Sequence, residues 1–383
     1  MSLSSLRVAL IVLGAGLLVA IPTALVLGSR ASNSATSASI TPRPSAVAPG
    51  RDDDDRKAEL ANRTVLATTA PSPAASVAAT VQASASSKPA PTAPPPPTPS
   101  KPAPTAPPPT PAPSVVPAFS HVFVIVMENH EYGSVIGSAA APYTNGLAAS
   151  YGLATNYYGV SHPSLPNYLA LTAGSTFGIT SDCTTCYVSA TNIADQVEAS
   201  GRSWKAYMED MPTPCYMGAA SGNYAMKHNP FMYYNDIRNN AARCAAHVVP
   251  FTLFGADMSS GQVPNFVWIT PNMCNDTHDC AVSTGDNWLR NVVPTITASA
   301  AFRNGGVLFI TWDEGTSNAG CCGNGGGGHV ATLVIAPSAR AGFRSGIAEN
   351  HYGLLRTIED GFHLAHLGAA GSSSNVPLRE YFR

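Results

Sequence analysis

The sequence changes character near residue 118, and that change decides how much of the chain can form a core. Residues 31–118 consist mostly of Ala, Ser, Thr and Pro, with few large apolar side chains. Such a segment cannot bury enough surface to offset the entropy of ordering it, so a disordered Pro/Ala-rich linker is expected there. Within it, Lys88–Ser100 (KPAPTAPPPPTPS) recurs almost verbatim as Lys101–Ser114 (KPAPTAPPPTPAPS). In extended polyproline II, at about 3.1 Å per residue, residues 88–117 would form a spacer of roughly 90 Å. Asp52–Asp55, flanked by Arg51, Arg56 and Lys57, reads as a solvated charge run.

Ahead of the linker, Val8–Gly28 is a 21-residue uncharged, mostly apolar run that follows Arg7. About 20 such residues span a bilayer, and the apolar core of a cleaved signal peptide is usually shorter. Residues 1–30 are therefore expected to be a signal peptide cut between Ser29 and Ala35, or an uncut anchor with Arg7 inside. Either way the remainder lies outside the cytoplasm, secreted or tethered to the membrane or cell wall. All eight Cys follow residue 118, which fits a disulfide framework behind an export signal. Cys274 and Cys280 bracket a short polar loop and suit a local bridge. Cys183-x-x-Cys186 also admits half a zinc site or a redox pair. The adjacent Cys321 and Cys322 are expected to bond to separate partners. The formal charge is +4 before residue 118 and −6 after it, against −2 overall. A net-acidic domain without a Lys/Arg run is poorly suited to nucleic acid, which binds through phosphate neutralisation.

The folded part is thus expected to be one α/β domain, residues 119–383. His121–Met127 (HVFVIVM), Asn265–Thr270, Gly306–Trp312 and Ala331–Ala336 are near-continuous apolar runs, as buried parallel strands require. Helical patterns fall between them at Tyr143–Tyr151, Leu165–Thr172, Ile193–Ser200, Asp286–Phe302 and Tyr352–Phe362, with Pro294 expected to kink or split the fourth. This alternation predicts an open, mostly parallel sheet with helices on both faces, whose ligand sits at the carboxyl ends of the strands.

The polar residues fall at that rim. The first strand runs into Glu128-Asn129-His130, and Gly306–Trp312 runs into Asp313-Glu314. Asn265–Thr270 leads to Asn275-Asp276-Thr277-His278-Asp279. Carboxylate and amide oxygens suit a hard divalent cation, whereas imidazole suits zinc or iron. In Ser161–Gly174 (SHPSLPNYLALTAG), Ser164 opens a helix, where free N–H groups favour anions. The same position suits a plain capping serine. A serine nucleophile needs a neighbouring base or a metal. No G-x-S-x-G surrounds Ser164, which argues against an α/β-hydrolase triad. The Gly-rich loop Gly315–Gly328 lacks G-K-[ST], so it is no P-loop and reads as a surface loop near the pocket.

Taken in order, MENH at 127–130, SHPSLPNYLALTAG at 161–174 and TWDEG at 311–315 resemble the secreted bacterial phosphoesterases. That family includes acid phosphatases and phospholipases C and belongs to the alkaline phosphatase-like superfamily. The resemblance runs from about His121 to His366. It implies one divalent metal ion of open identity, held by Glu128, Asn129, Asp313 and Glu314. It implies Ser164 as nucleophile and Asn167 as an amide on the phosphoryl oxygens. His162, His278, Asp279, His329 and His351 are pocket candidates. Of these, His278 or His351 is expected to protonate the leaving group, and His162, Asp279 and His329 to contact substrate. His130, His228, His247, His363 and His366 are read as structural.

The implied activity is a phosphomonoesterase of acid phosphatase type working through a phosphoserine, on small phosphate esters or phosphoinositide headgroups. A phospholipase C would instead need an apolar groove; Tyr157, Tyr158, Phe231, Met232, Tyr233 and Tyr234 either line one or are core. A surface binding module that has lost catalysis is the alternative of another class, against which the intact site residues count. Nothing in the sequence sets an oligomeric state.

Overall fold

The computed structural model of the protein describes residues 115–383. The leader and nearly all of the linker lie outside the described residues. Among the described residues, no helix is long and apolar enough to cross a membrane. Packing begins inside the expected linker boundary, because Val116 and Phe119 are both buried in the main core.

One eight-stranded sheet organises the domain. Its strands are β1 (His121–Met127), β2 (Gly152–Ala154), β3 (Trp204–Met208), β4 (Val248–Pro250), β5 (Phe266–Thr270), β6 (Gly306–Trp312), β7 (Thr332–Ile335) and β8 (Arg344–Ser345). The order across the sheet is β8-β2-β7-β6-β1-β5-β3-β4. All neighbours run parallel except β7, which is antiparallel to both β6 and β2. Val122 through Met127 are fully buried, as is every residue of β6. Successive strand residues point to opposite faces, so such runs require cover on both sides of the sheet. The helices supply it: α1 (Pro142–Ser150) packs on α4 (Val282–Thr297), and α2 (Ser164–Ala173) packs on α5 (His351–Phe362). A further helix, α3 (Ile193–Ala199), carries a capping box in which Asn192 and Asp195 satisfy each other's backbone N–H.

Pro294 does not break its helix. α4 runs through it to Thr297, and the interruption falls at Ala298–Ser299, where Ser299 caps a separate short turn, Ala300–Arg303. A proline this close to a helix end deletes one hydrogen bond and leaves few turns beyond to disturb. The six groove candidates also resolve. Tyr157, Phe231, Met232, Tyr233 and Tyr234 are fully buried core, and only Tyr158 is partly open.

All eight Cys pair: Cys183–Cys186, Cys215–Cys244, Cys274–Cys280 and Cys321–Cys322. The expectation that Cys321 and Cys322 bond to separate partners is therefore corrected. The other six bond among themselves, which leaves these two only each other. Cys183 and Cys186 are likewise bonded together, so neither is available as half of a zinc site.

Candidate active site

Strand register builds the site. Met127 of β1 lies opposite Trp312 of β6, so the residues that follow, Glu128 and Asp313, emerge side by side. The Asp313 N–H donates to the Met127 carbonyl at 2.9 Å, and the Glu128 N–H donates to the Asp276 carbonyl at 2.8 Å. The second bond ties the loop after β5 to the same rim. Asn129 has φ 58°, a left-handed conformation that Asn tolerates better than most residues. That turn brings its backbone N–H to Asp313 Oδ1 at 3.3 Å. The family resemblance predicted its side chain as a ligand; its recorded contact here is through the main chain.

Thr277, also left-handed at φ 83°, is the strained member, since a β-branched residue rarely adopts this conformation. Its hydroxyl donates to the Glu128 carbonyl at 2.8 Å and accepts from Trp312 Nε1 at 3.3 Å. The loop presses on α4 at Gly285, where a Cβ would stand 2.4 Å from the Thr277 methyl. The Gly-rich segment has the same logic. A Cβ on Gly159 would stand 2.6 Å from the Gly327 carbonyl oxygen and 2.8 Å from that of Asp313. The run is a place of close backbone approach under the site rather than a phosphate loop.

Ser164 opens α2 and is buried, with its Oγ 3.1 Å from Glu128 Oε2 and 3.3 Å from Glu314 Oε1. Tyr168, one turn on, donates to Glu128 Oε1. His162 pairs through Nδ1 with Glu314 Oε2, and its Nε2 meets the Ser317 carbonyl at 2.9 Å. That hydrogen bond to Glu314 is the main reason the His162 imidazole is pushed up to about 9. Four carboxylates, Glu128, Asp276, Asp313 and Glu314, thus crowd into a space from which water is excluded. Burial, reinforced by their like charges, raises Asp313 to about 6 and Glu314 to about 7, and lifts Glu128 and Asp276 well above the usual carboxylate range.

Two residues that sequence reasoning left outside the site belong to it. His228 is fully buried, stacked on Tyr168 at 5.4 Å, and spans Asp276 and Glu128, with Nδ1 3.2 Å from Asp276 Oδ2 and Nε2 3.3 Å from Glu128 Oε1. Lys227, beside it, reaches Asp182 Oδ2 at 3.0 Å and His278 Nε2 at 3.2 Å. Asp182 in turn accepts the Leu165 N–H at 2.9 Å, next to Ser164. The only signal for these residues was their spacing within KHNPF at 227–231, which carries no strand-end or helix-start logic of its own.

The other sequence candidates separate into those at the rim and those that support it. Lys227 can only donate, so His278 accepts at Nε2, and its Nδ1–H donates to Asp279 Oδ1 at 2.7 Å. Asn167 is engaged with the backbone. Its Oδ1 accepts from the Val160 and Ser161 N–H groups at 2.9 and 3.1 Å, and its Nδ2 donates to the Ser161 carbonyl at 2.8 Å. These bonds hold the loop leading to Ser164. His351 is buried, with Nδ1 3.1 Å from the Tyr157 hydroxyl and Nε2 on the Asp313 carbonyl. Burial lowers its pKa to about 4, and its contact with the Asp313 carbonyl braces the main chain at that carboxylate. His329 stacks on Tyr132 and meets the Thr155 carbonyl at 3.1 Å, away from Ser164 in its contacts.

Whether these residues suit a metal ion is decided by atoms left over. Asp313 Oδ2 and His228 Nε2 are buried with no hydrogen-bond partner. Glu128, His228 and Asp276 each offer a donor atom, all within 4.8 Å of one another. Unpartnered buried donors beside clustered carboxylates are costly unless a cation satisfies them, so the residues fit a divalent ion. A stability consequence follows for protein stripped by chelator. Carboxylates whose folded values are raised bind more protons folded than unfolded, so that stability is lost as pH rises through about 6 to 7, the values of Asp313 and Glu314. The stripped protein is expected to melt at a lower temperature at pH 8 than at pH 5.5, and added divalent ion to remove most of that difference. A stripped Tm flat across this range would contradict the crowding described here.

A buried hydroxyl placed against acidic groups at the carboxyl edge of a mostly parallel sheet is an arrangement compatible with hydrolysis of phosphoric esters. Residues 138–365 match the Phosphoesterase family, and the chain belongs to that family. Glu128 and Asn129 lie just before the matched segment. The chain is 30% identical over 269 residues to a phosphatidylinositol-3-phosphatase of Mycobacterium tuberculosis, covering 70% of this chain and 83% of that protein. It is 28% identical over 271 residues to an acid phosphatase of Aspergillus fumigatus, covering 68% of this chain but only 58% of that protein. A solved alkaline phosphatase superfamily protein of Vibrio parahaemolyticus overlays with a TM-score of 0.47 at 12% identity, covering 67% of this chain and 70% of its own.

Proposed function

We propose that the protein is an exported, metal-dependent phosphomonoesterase of acid phosphatase type that works through Ser164. The observation that carries this reading is the Ser164 Oγ held 3.1 Å from Glu128 and 3.3 Å from Glu314. Glu128, Asp313 and Glu314 would hold a divalent ion, which would supply Lewis acidity to the hydroxyl and the phosphoryl oxygens. Ser164 gives its proton to a neighbouring carboxylate and attacks phosphorus in line, displacing the ester oxygen and forming phosphoserine. The departing alkoxide takes a proton from the His278–Lys227 pair at the rim, and water then cleaves the phosphoserine to free phosphate and regenerate the hydroxyl. Tyr168 fixes Glu128, His162 fixes Glu314, and Asn167 and His351 hold the backbone that carries Ser164 and Asp313.

Export is supported by the four disulfides that pair all eight cysteines and by the leader-like run at 8–28. Burial of five of the six groove candidates as core, all but Tyr158, counts against a phospholipase C. A phosphoinositide monoester fits the same chemistry, and one relative is named for such a substrate. The test pairs a chromogenic phosphomonoester with a phosphodiester, with and without chelator. Monoester turnover at least about tenfold faster, lost on chelation and restored by divalent ion, is expected. Faster diester turnover would move the assignment to phospholipase C, and chelator-resistant turnover would remove the metal.

A further inference from the structure

We infer that His228 Nε2 is a nitrogen ligand of the site's cation, and that Asp276 is the group that orients it. This rests on the metal-dependent reading above and adds an imidazole to a ligand set that the strand-end motifs make wholly of oxygen. Three observations converge. The ring cannot turn away, because it is fully buried and lies nearly parallel to Tyr168, 10° between planes at 5.4 Å. Asp276 Oδ2 sits 3.2 Å from Nδ1, placed to accept a ring N–H there. The Nε2 lone pair is then left facing Glu128 Oε1 at 3.3 Å, with no hydrogen-bond partner and no water access.

A lone pair pointed at a carboxylate oxygen is repulsive unless something positive lies between or beside them. Glu128 Oε1 is already served by the Tyr168 hydroxyl, and the Asp313 oxygen without a partner belongs to the same cluster. A carboxylate on one ring nitrogen with the other nitrogen aimed into an acidic pocket is the arrangement by which proteins fix the tautomer of a metal-binding histidine. The competing arrangement is an imidazolium clamped between Glu128 and Asp276, with both nitrogens donating. That clamp would itself neutralise the pocket and would leave the cation oxygen-bound.

Imidazole favours zinc and its transition-metal neighbours, whereas oxygen-only sites suit calcium and magnesium. The full chain, stripped and reloaded with Zn(II), is therefore expected to show one imidazole in the zinc X-ray absorption spectrum. His228→Asn keeps an amide able to donate to Asp276 but removes the ring nitrogen aimed at the cation. It should abolish the imidazole signal and weaken Zn(II) binding at least about tenfold by calorimetry, while changing Ca(II) binding less than about threefold. His228→Gln, whose amide reaches the Nε2 position, should recover part of the Zn(II) affinity. An oxygen-only zinc spectrum in the wild type would overturn the inference while leaving metal dependence intact, and needs no variant. An imidazole signal that survives in folded His228→Asn would overturn it equally. Wild-type protein that binds neither ion would fail the metal reading itself, and this inference with it.

Discussion

Ser164→Ala is expected to lower phosphomonoester turnover by at least about 10,000-fold, the scale on which loss of a covalent nucleophile is felt. The size follows from geometry. Among the described residues, the Oγ is the one hydroxyl that reaches both Glu128 and Glu314, and it sits at the first residue of α2. Removing it deletes the proposed nucleophile but leaves all four carboxylates, His228 and the loop held by Asn167 in place. Metal content by elemental analysis and the melting temperature should therefore stay close to wild type. A variant retaining more than about one part in a hundred of the activity would exclude Ser164 as nucleophile.

Glu128→Gln is expected to act in two opposite directions. Turnover should fall at least about 1,000-fold, with loss of bound metal, because the side chain nearest to Ser164, Tyr168 and His228 can no longer carry charge. The metal-free protein should nonetheless melt higher than stripped wild type at pH 8. Burial, together with the charges of Asp313, Asp276 and Glu314, makes ionised Glu128 unfavourable without a cation. Glutamine keeps the acceptor for Tyr168 and gains an amide donor for the neighbouring acids, with no charge to desolvate. Full activity, or a stripped Tm below wild type, would mean that Glu128 supports the fold rather than the ion.

The central strands were legible because apolar runs bounded by acids are unambiguous. His121–Met127 and Gly306–Trp312 match β1 and β6 residue for residue, and Phe266–Thr270 begins one residue inside the expected segment. The shorter strands were not. Gly152–Ala154 and Val248–Pro250 are three residues each, and Trp204–Met208 contains Lys205, so neither length nor hydrophobicity marked them. The site divides along the same line. Residues that follow strand ends or open helices could be placed from sequence, because register fixes where they emerge. His228 and Lys227 sit on a short turn whose position depends on tertiary packing, and no local period announces it. Asn167 shows the reverse difficulty. A motif match supplied its neighbourhood correctly, but four backbone groups compete for its amide, and only coordinates show that they win.

The cross-links have a consequence for how the domain would behave in a thiol-rich compartment. Three of them join residues 3, 6 and 1 positions apart, and the fourth spans 29. Chain-entropy relief grows with the logarithm of the contour enclosed, so the three short bridges are local stitches and only Cys215–Cys244 constrains a longer stretch. Reduction should leave the hydrophobic interior standing and loosen particular hems, above all the one between Cys274 and Cys280 that presents Asp276 and His278. A host cytosol would then yield soluble but catalytically slack material, which an oxidising refold could retighten without unfolding the whole.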